Sequence, residues 1–382
     1  MGALDHGRTT SGRPSVVLVV LAALVLVLSS CGGDAETDAG RDPLLWPYPA
    51  DSIWNHPRGD AARLVPFALD PRASTLSAEE DVIIAEPDAE GRDVVSTTAG
   101  WQPGASRCNE ATGEVLVEDL PIPEDWYTDP GYRGKTPNQA AAIVMPDMTL
   151  VETQPLHVCE DGTAVSQEAQ PAWQGSSLLT GATAEEPGSG AHGGSGMTAF
   201  GGTIRVGEWV PGGEIPHAVK MTVDATTLSS FAGGFRWPAT NADLYADDPV
   251  RGYQGSVPAA RMGSLLTLPP WFQMDKIETE PARILAEALM EHGAYVVDDT
   301  GWSTVGLSVE WGPNGRVTDE FEQEWGFPMT GHIGNVGGEQ LQFLEDLKLM
   351  YSVMHVVDDN GPDAVGGAGD PMAPFAPPLA GA

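Results

Sequence analysis

The sequence predicts a mainly β fold, a β-sandwich of jelly-roll type with two α-helices late in the chain. Three observations carry that expectation. Apolar runs are short and are separated by Pro, Gly, Asp and Asn, in a chain of 382 residues with 46 glycines and 32 prolines. Several runs alternate apolar and polar residues, the period of a half-buried strand. Helical periodicity is confined to two stretches in the last third. An α+β arrangement around a single sheet is the alternative.

Taken in order, residues 1–30 read as a targeting signal, because Arg8 and Arg13 precede an unbroken apolar run over 16–28. That run is too short to span about 30 Å of hydrocarbon at roughly 1.5 Å per residue. It ends in Leu28-Ser29-Ser30-Cys31 followed by Gly32 and Gly33, which resembles the lipobox of bacterial lipoproteins. The resemblance implies cleavage before Cys31 and lipidation of its thiol, and two acyl chains suffice for stable anchoring. The expected location is therefore the outer face of the plasma membrane, with residues 31–43 as a flexible tether. Residues 44–382 should form a single globular β-rich domain ending in an irregular strap. Cys108 and Cys159 then remain, and in an exported protein they most simply form one disulfide. Such a bond closes a loop of about fifty residues and stabilises by a few kcal/mol in the chain-entropy model.

Within the domain, 81–85, 141–145, 150–153 and 156–159 are candidate strands, and 119–134, rich in Pro and aromatic residues, reads as mostly loop. The stretch 241–261 is a long excursion, a common place for functional residues. Residues 261–268 read as a strand stopped by Pro269-Pro270. Thr279, Pro281 and an Ile284, Leu285, Ala288, Leu289 stripe mark a first helix ended by Gly293. A strand over 294–298 follows it directly. A second helix spans about 338–354, with Leu341, Leu344, Leu347 and Tyr351 on one side.

The strongest candidate site lies in 188–223. A glycine-rich loop with His192 leads into an expected hairpin, 203–209 paired with 215–223, that carries Glu208, His217 and Lys220. On such a strand His217 shares a side with Ile215 and Val219, and Lys220 faces the other way. Glu208 can meet His217 across the hairpin and raise its pKa. His192, on a mobile loop, should be exposed. Asp298 and Asp299 end a strand, where adjacent carboxylates point to opposite faces. Arg261 offers two parallel bonds to a carboxylate.

Formal charge is −35, from 54 acidic and 19 basic residues, which disfavours nucleic acid as a partner. Calcium is possible, but no ligand loop of known spacing occurs, and no other cofactor is expected. A zinc site would need His192, His217 and a carboxylate without any close His pair, so no metal centre is expected. No nucleophile elbow or phosphate-binding loop is present.

Ser52-Ile53-Trp54-Asn55, Gly201-Gly202-Thr203-Ile204-Arg205 and Ile215-Pro216-His217-Ala218-Val219-Lys220 stand in that order. Phe235-Arg236-Trp237-Pro238-Ala239, Arg261-Met262-Gly263-Ser264-Leu265-Leu266, Tyr295-Val296-Val297-Asp298-Asp299 and His355-Val356-Val357-Asp358 follow. This series resembles a family of exported bacterial proteins, the actinobacterial members above all, over nearly the whole mature chain. The resemblance implies an exported, β-rich protein and transfers no catalytic residue.

The functional expectation is a lipid-anchored protein that binds polysaccharide and either cleaves it or only holds it. Eleven tryptophans offer platforms for sugar rings. The acid/base candidates are Glu208, His217, Arg261 and Asp299, and the ligand-binding candidates are Trp54, Asn55, His192 and Trp237. The alternative is a structural or adaptor lipoprotein of the cell envelope without chemistry.

Overall fold

The computed structural model describes residues 40–69, 75–99, 106–128, 139–167 and 173–380. The expected signal, Cys31 and the tether before residue 40 lie outside the described residues. The compact unit begins at Gly40, ahead of the expected boundary at Leu44. Arg41 explains the difference: its N–H donates to Pro378 O and its guanidinium donates to the carbonyls of Trp46, Pro47 and Tyr48. The C-terminal strap is thus ordered, with Ala380 N–H returning a bond to Arg41 O.

The chain is mainly β. Its first strands are β1 (Leu64–Pro66), β2 (Thr75–Ile84), β3 (Gly91–Thr97), β4 (Ala111–Pro121), β5 (Ala141–Val144) and β6 (Thr149–Thr153). Then come β7 (Leu156–Val158), β8 (Ala164–Gln167), β9 (Trp173–Ser177), β10 (Val219–Asp224) and β11 (Leu265–Thr267). The last are β12 (Ala294–Thr300), β13 (Val305–Gly312), β14 (Gly315–Arg316), β15 (Gly331–His332) and β16 (His355–Val357). Three helices, α1 (Glu280–Glu291), α2 (Val317–Trp325) and α3 (Gly338–Tyr351), fall in the last third.

Among the described residues the strands form two sheets. The larger runs β1-β16-β11-β12-β10-β13-β2-β5-β6-β9, with β14 beside β13 and β15 beside β2; the smaller runs β4-β3-β8-β7. The larger sheet is mixed, its β10/β12, β13/β2 and β2/β5 pairs being parallel. Strand alternation serves two apolar layers. Along β2, Val82 and Ile84 join the layer shared with the small sheet, whereas Ile83 between them enters the main core. The disulfide Cys108–Cys159 ties the residue stretch before β4 to the one after β7, the two edges of the small sheet.

The expected hairpin is absent. Only 219–224 forms a strand, and 203–209 folds as an irregular segment in which Ile204 makes a single parallel bridge to Val309. Gly207, at φ 89°, turns the chain there, and the alternation reflects burial against β13: Ile204 and Trp209 are buried, and Arg205 is held by Glu310. Helix α2 was not anticipated, since its apolar positions reduce to Val317, Phe321 and Trp325 among acidic neighbours. Thr279 precedes α1 as expected, but its hydroxyl donates to Asp346 of α3 at 2.7 Å, so it clamps one helix to the other.

Candidate functional site

The glycine-rich loop is held from below by a buried carboxylate. Glu152, on β6, accepts the Ala191 and Ala199 N–H groups at 2.9 and 2.8 Å and the Thr198 hydroxyl. Burial keeps its pKa above the ordinary value even so. Gly190 is needed beside it, because a Cβ there would lie 2.2 Å from Glu152 Oε2. The far side of the loop is pinned by Ser195 N–H donating to Val297 O at 3.1 Å.

That carbonyl is available because β12 carries a bulge. Met221 pairs with Val296, but Thr222 pairs with Asp298, which leaves Val297 unmatched. Bulges re-aim the side chains that follow them. Here the shift turns Asp298 under the loop, so that a Cβ on Gly193 would meet Asp298 Oδ2 at 2.7 Å and one on Gly194 would meet Oδ1 at 2.8 Å.

Four neighbouring strands contribute to this place. Glu79 and Asp81 are two residues apart on β2, Ser308 of β13 is in register with Glu79, Lys220 lies on β10 and Asp298 on β12. His192 drops from the loop between them. Its Nε2 lies 3.3 Å from Ser308 Oγ, 3.5 Å from Asp81 Oδ1 and 3.9 Å from Glu79 Oε2. Lys220 Nζ lies 2.7 Å from Asp81 Oδ2 and donates to Ala199 O at 2.7 Å. Burial opposes ionisation of Asp81, but the charges of Lys220 and His192 outweigh it and hold its pKa below the ordinary value.

Toward solvent the excursion at 241–261 supplies the remaining groups. Tyr253 donates to Asp243 Oδ2 at 2.5 Å and Tyr245 donates to Asp299 Oδ2 at 2.6 Å. One oxygen from each of Asp243, Asp298 and Asp299 lies within 4.8 Å of the others, and the same holds for a donor atom each from Glu79, His192 and Asp298. Burial raises the pKa of Asp298 well above the ordinary value, and the carboxylates of Glu79, Asp243 and Asp299 add to the rise. Burial and Asp243 likewise push Asp299 up to about 6. Although the two residues are neighbours on a strand that continues to Thr300, one oxygen of each carboxylate lies within 4.8 Å of the other.

The anticipated residues divide. Glu208 and His217 do meet, Oε2 to Nε2 at 3.2 Å, beside a depression of about 450 Å³ lined by Trp46, Arg205, Glu208 and Pro216. Burial works against the imidazolium, but Glu208 outweighs it and raises the His217 pKa. His217 Nδ1 also faces Ala218 O at 2.9 Å, so both ring nitrogens are engaged by acceptors and neither is open to a substrate proton. Lys220 lies apart from this pair, as expected.

Asp299 is elsewhere, in the acidic cleft: it pairs with Val223, near the opposite end of β10 from His217. Arg261 belongs to neither place. It donates to Phe235 O at 3.2 Å and stacks on Phe231, so it does not join His217 in one cleft.

His192 is 1 % exposed, contrary to expectation, because Glu152 and Val297 immobilise the loop that carries it. Trp54 is also buried, edge-on to Tyr295 and packed against Gly202, which leaves no face for a sugar. Asn55 is buried too and donates to the carbonyls of Pro47, Tyr48 and Pro49, a turn-fixing role. Trp237 is partly buried against the main core.

Sequence reasoning missed Glu79, Asp81 and Asp243, which are ordinary acidic residues in an acidic chain; the length of the 241–261 excursion was the signal available. Comparison with protein-family models, with curated proteins and with solved structures gave no match.

Proposed function

We propose that this is an exported, lipid-anchored protein of the outer face of the plasma membrane that binds a polysaccharide and cleaves it in the Asp298 cleft. The carrying observation is the convergence of Asp243, Asp298 and Asp299 at the C-terminal end of β12, with the partly exposed Tyr245 bonded to Asp299. Trp302, more than half exposed and three residues beyond Asp299, offers a flat apolar face at the same end of β12. Carboxylates that accept from sugar hydroxyls, beside an aromatic face, suit a pyranose ring. The disulfide supports export.

The cleft favours a neutral glycan over a uronate polymer. Lys220, the cation packed into this layer, is already paired with Asp81, and Arg261 lies outside it. With a formal charge of −35 the protein repels polyanions. Asp299, at the open side and oriented by Tyr245, is placed to exchange a proton with a glycosidic oxygen or water.

The test is binding of the purified full chain, in detergent micelles, to neutral envelope and plant polysaccharides, followed by assay of released reducing ends. Wild-type protein should bind and release, and Asp299→Asn should bind without release. An absence of binding to every polysaccharide would favour an envelope adaptor, a reading that draws on the exposed side chains of Phe231, Leu244 and Val250.

A further inference from the structure

We infer that Glu79, His192 and Asp298 bind one divalent transition-metal ion, of the Mn²⁺ or Zn²⁺ class, in this cleft. The inference rests on the reading of the cleft as the working site and supplies it with a cofactor. One donor atom from each of the three residues lies within 4.8 Å of the other two, a spacing that a single ion can bridge by drawing each ligand inward.

The cluster alone would be only an accumulation of charge. The imidazole is the independent observation. His192 is almost wholly buried, and its Nδ1 has no hydrogen-bond partner. A buried ring nitrogen without a partner forfeits its hydration unless something occupies its lone pair. The other nitrogen, Nε2, faces Ser308 Oγ and Asp81 Oδ1, both able to accept its proton, and lies 3.9 Å from Glu79 Oε2. With its proton on Nε2 the ring would present the Nδ1 lone pair to an ion, and a carboxylate behind the ring is the usual support of a metal-bound histidine.

Asp81 belongs to that support and not to the ligand set. Its Oδ2 is taken by Lys220 Nζ at 2.7 Å and by the Thr203 hydroxyl at 2.9 Å, so its charge is already balanced. The glycine loop completes the fit, because Gly193 and Gly194 put no Cβ between the loop and Asp298.

One nitrogen with carboxylate oxygens selects the ion. Calcium prefers an all-oxygen shell, and magnesium keeps its waters, whereas Mn²⁺ and Zn²⁺ accept imidazole together with carboxylate. Three protein ligands leave positions for water or a substrate hydroxyl, on the side where Asp243 and Asp299 lie.

The experiment is calorimetric titration of MnCl₂ and, separately, ZnCl₂ into the chelator-stripped full chain in micelles, with no glycan present. At least one ion should bind saturably at a single site. His192→Ala and Glu79→Gln should each weaken it by about tenfold or more, and His217→Ala should leave it unchanged. Because His192 is buried, its variant is checked by circular dichroism. Glu79→Gln, at a partly exposed side chain, carries the same test in thermal unfolding: the ion should raise the midpoint of wild type and not of the variant. Overturning results are no saturable binding of either ion, or binding indifferent to both substitutions. CaCl₂ binding that ignores His192→Ala would also overturn the assignment. A negative titration leaves the glycan assay standing, and a negative glycan assay leaves the titration standing.

Discussion

Lys220 Nζ and Asp81 Oδ2 stand 2.7 Å apart with neither side chain exposed to solvent. Lys220 also donates to the Ala199 carbonyl and Asp81 accepts from Thr203, so the pair fixes both the glycine loop and the segment that follows it. Removing one partner of such a pair leaves an uncompensated buried charge. Lys220→Met should therefore cost about 3–5 kcal/mol in urea unfolding, and the double variant Lys220→Met/Asp81→Leu should recover a large part of that loss. Equal stability of Lys220→Met and wild type would contradict this account.

Two histidines near the start of β10 give stability opposite dependences on pH. Burial, then the charge of His217, lowers the His292 pKa from its ordinary value to about 4. The unfolded chain therefore binds the extra proton between about pH 6.5 and 4, and stability falls as pH drops through that window, by on the order of 3 kcal/mol. His292→Gln should flatten this limb in denaturation curves recorded at stepped pH.

His217 has the reverse sign. Its folded pKa is raised, so its contribution is complete below its ordinary value and is lost as pH rises through the raised one. Glu208→Gln should erase that alkaline loss while leaving the acid limb in place.

Asp298 should trade stability for activity. Its pKa is raised by burial and by like charges, so ionising it at neutral pH costs free energy in the folded state. In chelator-treated protein Asp298→Asn should gain about 1–2 kcal/mol in thermal or urea unfolding, with loss of glycan cleavage. A destabilised Asp298→Asn protein would show that this carboxylate is compensated in the folded chain.

Gly194 and Gly207 both have positive φ, but their surroundings differ. A Cβ on Gly194 would crowd Met262, Asp298 and Asp243, whereas one on Gly207 would meet nothing within 4 Å. Gly194→Ala should cost about 1–3 kcal/mol and displace the loop, and Gly207→Asn should be nearly neutral. Chemical denaturation of the two variants makes the comparison.

The strands at 141–144 and 156–158, the start of β12 and the helices α1 and α3 were legible because local patterning and burial agree there. Segment 203–209 was misread because Ile204 and Trp209 enter the core from an irregular turn, and period-2 alternation does not tell a strand from a loop buried against one. Glu208 does meet His217, but without the hairpin from which their meeting was expected. The acidic cleft was not legible. It joins Glu79, His192, Asp243 and Asp298 across long chain separations, through a one-residue bulge that leaves no mark in composition.

The pairing of Arg41 with Leu379, and of β1 with β16, sets an order on folding. The first strand of the large sheet has its partner only after residue 357 has emerged, and Arg41 must wait for the last turn of the strap. Contacts of such sequence separation close slowly, and until then β16 presents an open edge. A chain built this way completes its large sheet only once residues 355–357 are there to stand between β1 and β11.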